Sequence, residues 1–285
     1  LRAIVAAEID GFCLFSLLDE WFKRAWIVDL LEAPADRRHL WFNAMSPEQN
    51  FGLIALRPGP PERFHFLDGE DDEWVEAPQA SKATPPFAPA GDGLDPARHL
   101  RDLTLEHDEG YLHLRLRLED LDPEKKGGPD WNRLEYWIAF DTIAPDRGGR
   151  FLEPSQTIEV GRRVEFLLRI RSPEDVTLWV DRPYDLYAVW HGLREPWQAY
   201  RSIANDDGIF HLMRNLTNWE VVHEGEVLAP FVDDWIGRLP TGHEAEQSNS
   251  NFWFPIETGV FEIRLPWSLL HVSDPSSLQV IDGPA

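Results

Sequence analysis

The chain has a single cysteine, Cys13, in 285 residues. An intramolecular disulfide and a cysteine-built metal cluster are therefore both excluded, and Cys13, set in the apolar run Gly11–Leu18, reads as a packing thiol. Lysine is scarce too, limited to Lys23, Lys82, Lys125 and Lys126, and 27 basic residues stand against 50 acidic ones for a net charge of −23. A surface so short of positive charge cannot neutralise a phosphate backbone, so no nucleic-acid partner is expected. Docking to an anionic membrane is disfavoured for the same reason, as is a polyanionic sugar. The apolar run 11–18 falls far short of the ~20 residues that span a bilayer, so no membrane insertion is expected. The sequence contains no Gly-rich phosphate loop, no Gly-x-Ser-x-Gly elbow and no histidine pair at zinc-binding spacing. It opens on Leu1 rather than Met, and Glu8 and Asp10 interrupt any signal-peptide core, so a piece of a longer protein is expected.

What the chain does have is 43 % hydrophobic residues, enough for a packed core in one large or two modest domains. From Phe64 onward short alternating runs and turns follow one another. Leu103, Leu105 and His107 alternate with Asp102, Thr104 and Glu106, and Asp108-Glu109-Gly110 makes a turn. Leu112, Leu114, Leu116 and Leu118 then alternate with His113, Arg115 and Arg117. This spacing predicts an antiparallel hairpin with leucines inward and charges toward solvent. Further strands are expected over 133–141, 163–171, 176–181, 208–214, 226–232 and 260–265. No helices alternate with them, which argues an antiparallel sandwich. The Pro-Gly run at Arg57–Pro61 marks the domain boundary, giving 1–60 and 61–285. The proline-rich link from Ala77 to Pro96 is expected to lie extended on the surface.

The segment Val260-Phe-Glu-Ile-Arg-Leu-Pro-Trp-Ser-Leu-Leu270 is the most informative. Phe261, Ile263 and Leu265 have the period of a half-buried strand. Pro266 has no N–H for the ladder and ends it, and Trp267 begins a short turn or helix. Taken with the 102–118 hairpin and the Leu134-Glu-Tyr-Trp-Ile-Ala-Phe-Asp141 run, this order of motifs resembles family 9 carbohydrate-binding modules and their DOMON-like relatives. The resemblance covers roughly Phe64 to the C-terminus, with a large insertion at about 176–254. It implies a mainly β, sugar-facing antiparallel β-sandwich at the cell envelope or outside the cell.

Residues 1–60 differ. Ile9–Leu18 is a near-continuous apolar run that leads into Asp19-Glu20-Trp21, and Ser46-Pro47-Glu48 predicts a helix continuing through Leu56. The segment resembles the last strand and helix of the (β/α)8 barrel in retaining glycoside hydrolases, which would place Asp19, Glu20 and Trp21 at the barrel mouth. Adjacent strand residues point to opposite faces, so Asp19 and Glu20 cannot form the pair of carboxyls about 5–5.5 Å apart that retention needs. Catalytic carboxylates, if the protein has them, would lie upstream of Leu1.

Two groups of residues could bind ligands. Asp68-Gly69-Glu70-Asp71-Asp72-Glu73-Trp74 resembles the start of the same binding modules, and carboxylates spaced round a glycine suit Ca²⁺. Asp68, Asp71 and Asp72 are candidate ligands, with Asp141 and Asp146 joining if the loops meet. Among 13 tryptophans, those in polar, irregular stretches are candidates to stack on sugar faces, namely Trp190, Trp197 and Trp253, beside Tyr200. Arg194, Asn249 and Asn251 would bond the hydroxyls. Strand tryptophans such as Trp137 are weaker candidates, because most such rings plug a core. The expected function is a non-catalytic carbohydrate-recognising or scaffolding module, with a neutral polysaccharide or oligosaccharide and an upstream domain of the same protein as partners. The alternatives are the C-terminal part of a glycosidase and an interaction domain with no small ligand.

Overall fold

The computed structural model describes residues 13, 15–18, 52–54, 64–70, 72–74, 81–83, 100–108, 110–118, 129–183, 201–218, 220–230, 232–246, 249–275 and 278–280. In chain order the first strands are β1 Ser81–Ala83, β2 Leu100–His107, β3 Tyr111–Leu118, β4 Tyr136–Phe140, β5 Gly148–Phe151 and β6 Glu159–Val164. Next come β7 Phe166–Ser172, β8 Asp175–Val180, β9 Ala204–Asn205, β10 His211–Leu212, β11 Asn215–Asn218 and β12 Val221–His223. The last are β13 Glu226–Ala229, β14 Val232–Asp234, β15 Phe252–Trp253, β16 Val260–Pro266, β17 Val272–Asp274 and β18 Gln279–Val280. The described chain is mainly β, and its two main sheets are antiparallel.

A five-stranded sheet runs β1-β2-β3-β16-β15 and a four-stranded sheet runs β10-β8-β7-β4. Both contribute to one core. Leu114, Leu116 and Leu118 of β3 and Phe261, Ile263 and Leu265 of β16 come from the first sheet. Phe166, Leu168 and Ile170 of β7 and Val176, Leu178 and Val180 of β8 come from the second. Every second residue faces the core because the strand period is two. Phe261 is fully buried at the centre, stacked on Phe254 at 4.2 Å and edge-on to Tyr136 at 5.0 Å. The sequence-predicted hairpin is β2–β3, with Leu105 opposite Leu114 and Leu103 opposite Leu116. β16 ends at Pro266, and Trp267–Leu270 forms a 3-10 helix. That helix is anchored by Trp267, whose backbone N–H donates to Gly110 O and whose indole N–H donates to Asp108 O.

Two expectations need revision, and one gains a pairing. The run 163–171 is two strands, because the chain changes sheets at Glu165: β6 pairs with β5, and β7 pairs with β4 and β8. In the proline-rich link, Ser81–Ala83 pairs with β2 as an edge strand. In the N-terminal segment, Leu53 and Ile54 donate backbone N–H groups to Ser16 O and Leu17 O, and Leu18 bridges Ile54 in parallel. The helix expected through Leu56 therefore does not include these residues.

The face of the five-stranded sheet opposite the core also departs from expectation. Asp102, Thr104, Glu106, His113, Arg115, Glu262 and Arg264 are all buried. They lie beneath chain from 64–70, 72–74, 240–246 and 249–251, as bonds from Leu67 to Glu244, Asp68 to Glu262 and Arg264 to Ser250 show. Burial of most of these charges is tolerated because they are paired: Arg117 and Arg115 with Asp102, Arg264 with Glu244, and His113 with Asp108.

Candidate functional sites on two sheet faces

The first site is acidic. Glu262 projects from β16 on the polar face and is wholly buried. Its Oε2 accepts the backbone N–H of Asp68 at 2.9 Å and of Gly69 at 2.6 Å. Gly69 has φ +83°, a left-handed conformation that suits glycine. The loop then closes on itself: Glu73 accepts the Phe66 N–H at 3.0 Å, and Asp68 Oδ1 accepts the Glu70 N–H at 2.8 Å. One carboxylate oxygen each from Asp68, Glu73 and Glu262 lies within 4.8 Å of the others. Burial raises Glu262 to about 8, with Glu73 and Asp68 adding to the rise against the Gly69 N–H. Burial likewise raises Glu73 to about 7, against its bond from Phe66. Glu262 Oε1 and the indole nitrogens of Trp74 and Trp253 are buried without a hydrogen-bond partner. The Trp74 indole still acts on the Glu262 carboxyl, lowering it slightly, without the geometry of a formed hydrogen bond.

The second site is aromatic and lies on the outer face of the four-stranded sheet. Trp137 of β4 stands opposite Arg169 of β7, and Arg169 stands opposite Thr177 of β8. The Arg169 guanidinium lies over the Trp137 ring at 5.0 Å and over the Trp179 ring at 5.4 Å. Each indole is also held at its nitrogen: Trp179 donates to Thr177 Oγ1 at 2.9 Å, and Trp137 donates to Glu135, which in turn pairs with Arg169 at 2.8 Å. Trp179 borders a cavity of about 490 Å³ with Arg171, Asp175, Thr177 and Arg238 among its walls. Arg171 pairs with Asp175 at 3.2 Å, and the exposed Trp235 underlies Arg238 at 5.9 Å. This volume falls within the range of about 300–1,000 Å³ usual for small-ligand sites.

The residues singled out in the sequence are distributed as follows. Asp19, Glu20, Trp21, Asp71, Trp190, Arg194, Trp197 and Tyr200 lie outside the described residues. Trp253 is half-buried, opposite Glu262 in the sheet register, with its ring edge-on to His243 at 5.9 Å. Asn249 is exposed. Asn251 is buried, and its side-chain N–H donates to Arg264 O at 2.7 Å, so its amide holds the sheet edge together. Asp68 joins Glu73 and Glu262. Among the described residues the acidic group includes none of Asp72, Asp141 and Asp146. Asp141 pairs instead with Arg162 at 3.0 Å, and Asp72 and Asp146 are exposed. Sequence reasoning passed over Glu262 because an acidic residue in a strand alternation reads as a solvent face. It ranked Trp137 low because alternation tells which face a ring occupies, not whether anything covers it.

A scan against family models, a search of curated proteins and a search of solved structures each find no match to this chain. The functional reading therefore stands on the geometry of the two faces.

Proposed function

We propose that this chain is a non-catalytic carbohydrate-recognising module that binds a neutral oligosaccharide on the outer face of the four-stranded sheet. The observation that carries the reading is the Trp137–Arg169–Trp179 row. Sugar rings present flat C–H faces to aromatic rings, and a binding site needs such rings fixed before the ligand arrives, so that little freedom is lost on binding. Here the bonds from Trp137 to Glu135 and from Trp179 to Thr177 fix both. Hydroxyl partners stand alongside: the Thr177 O–H, the Asp175 carboxylate and the Arg171 and Arg238 guanidinium groups round the cavity.

Neutral sugar fits better than charged sugar. Arg169 is matched by Glu135 and Arg171 by Asp175, so the face offers paired charges, while the chain as a whole carries −23. A half-buried, half-polar platform of this kind binds weakly, with Kd on the order of micromolar to millimolar, because water competes for each hydroxyl. A glycan array probed with the full chain tests the reading. Retention on neutral glycans, accompanied by a change in tryptophan fluorescence on titration, is the expected result. No retention on any neutral glycan overturns it.

A further inference from the structure

We propose that Asp68, Glu73 and Glu262 form a Ca²⁺ site that clamps the loop carrying Asp68 and Glu73 onto β16. The site is separate from the aromatic face and does not depend on carbohydrate binding. Three observations carry it. First, one oxygen from each of the three carboxylates falls within 4.8 Å of the others. Oxygens on opposite sides of a calcium ion stand about 4.6–5.2 Å apart, twice its usual ligand distance, so the three fit within one coordination sphere.

Second, Glu262 is wholly buried and its Oε1 has no hydrogen-bond partner. An ionised carboxylate without solvent requires a compensating charge, because an uncompensated buried charge costs several kcal/mol or shifts to its neutral form. The three arginines on the same sheet face are engaged elsewhere: Arg115, opposite Glu262 in the register, and Arg117 pair with Asp102, and Arg264 pairs with Glu244. Third, backbone hydrogen bonds shape the loop round the site. Glu262 accepts two consecutive backbone N–H groups, and Glu244 accepts that of Leu67.

Calcium is favoured over magnesium by the setting. Mg²⁺ holds its water shell tightly and demands near-ideal octahedral geometry, whereas Ca²⁺ accepts irregular sets of six to eight oxygens. Half-exposed Asp68 and Glu73 leave room for water on the outer side, while Glu262 supplies a dry inner ligand. A three-carboxylate site of this sort binds with Kd of about 10⁻⁵ to 10⁻³ M.

The buried Trp74 indole and the half-buried Trp253 indole flank the site, so a terbium ion bound there is sensitised by tryptophan excitation. Full-length chain titrated with Tb³⁺ should give saturable luminescence that Ca²⁺ displaces and Mg²⁺ displaces far less well. In chelator, Glu262→Gln should fold with an unchanged or higher melting temperature and should lose the luminescence. Glu73→Gln, altered at a half-exposed position, serves as the second variant should Glu262→Gln fail to fold, and should weaken Tb³⁺ binding several-fold. Luminescence that survives in the folded variants marks adventitious binding to the acidic surface and overturns the proposal. So does wild-type protein that shows neither saturable luminescence nor a Ca²⁺-dependent rise in melting temperature.

Discussion

The backbone N–H of Gly69 donates to Glu262 Oε2 at 2.6 Å across 193 residues of sequence. The bond joins an early loop to the last long strand, and the glycine is needed for it. Gly69 has φ +83°, and a Cβ added there would lie 2.3 Å from Pro255 Cγ. Gly69→Ala combines left-handed strain with a clash, and is expected to cost about 2 kcal/mol or more. Urea unfolding of the variant beside wild type measures the loss. A difference of a few tenths would show that the loop does not depend on this contact.

The polar face makes the fold acid-sensitive. Burial first, then the positive neighbours His113 and Arg115, with Asp108 opposing, lower His65 from 6.5 to about 3. In the unfolded chain this imidazole takes a proton near pH 6.5, but in the native state it does not until about pH 3. The unfolded state therefore binds more protons across that window, and native stability falls as pH drops from about 6.5 toward 3. His65 Nε2 lies against the Glu106 carboxylate, so His65→Gln, which keeps a donor toward Glu106, should flatten the decline of melting temperature between pH 6.5 and 4.5. An unchanged slope would assign the acid sensitivity to other groups.

Glu165 acts in the opposite sense. Burial raises it to about 7, against the bonds it accepts from Thr142 and Ser202 and with Asp141 adding to the rise. Its folded value lies above its unfolded value of 4.5. The native state therefore holds the extra proton, and stability falls as pH rises from about 4.5 through 7. Glu165→Gln should raise the melting temperature at pH 8 and give little or no gain at pH 5. A variant equally destabilised at both values would show that the carboxylate itself holds the β6–β7 junction.

Much of the frame was legible because strand periodicity is local. The leucines of β3 and the Phe261-Ile263-Leu265 series of β16 declare a core face without reference to the rest of the chain, and Pro266 marks the strand end by its missing N–H. Other features depend on chain far away in sequence. Asp102, Glu106, Arg115 and Glu262 have the same alternation whether water or protein covers them, and the cover comes from 64–70, 72–74, 240–246 and 249–251. The break at Glu165 was hidden for a similar reason. Val164 and Phe166 are both buried, and alternation cannot show that they belong to different sheets. The acidic site mixes both cases: Asp68 was legible in its Asp-Gly loop, while Glu73 and Glu262 become its partners only once that loop meets β16.

Calcium should also act on the whole fold. An ion bound only by the native state stabilises it by mass action, about 2.7 kcal/mol at a hundredfold excess over Kd. Chelated and Ca²⁺-saturated protein compared by calorimetry at pH 7.5 should show a higher melting temperature with calcium, and the difference should vanish in Glu262→Gln. An equal shift in both proteins would mean that calcium acts elsewhere on the acidic surface.

The measurement that bears most directly on carbohydrate recognition is the affinity of Trp179→Ala for the best neutral glycan, by isothermal titration, beside wild type and Trp253→Ala. Trp179 stands on the outer face of the four-stranded sheet and Trp253 beside the acidic loop, so the pair separates the two sites. Truncating an aromatic anchor costs on the order of 2 kcal/mol, more than about tenfold in Kd. The expected result is that loss for Trp179→Ala, with near-wild-type melting temperature, and unchanged affinity for Trp253→Ala. Wild-type affinity retained in a folded Trp179→Ala variant would contradict recognition on this face.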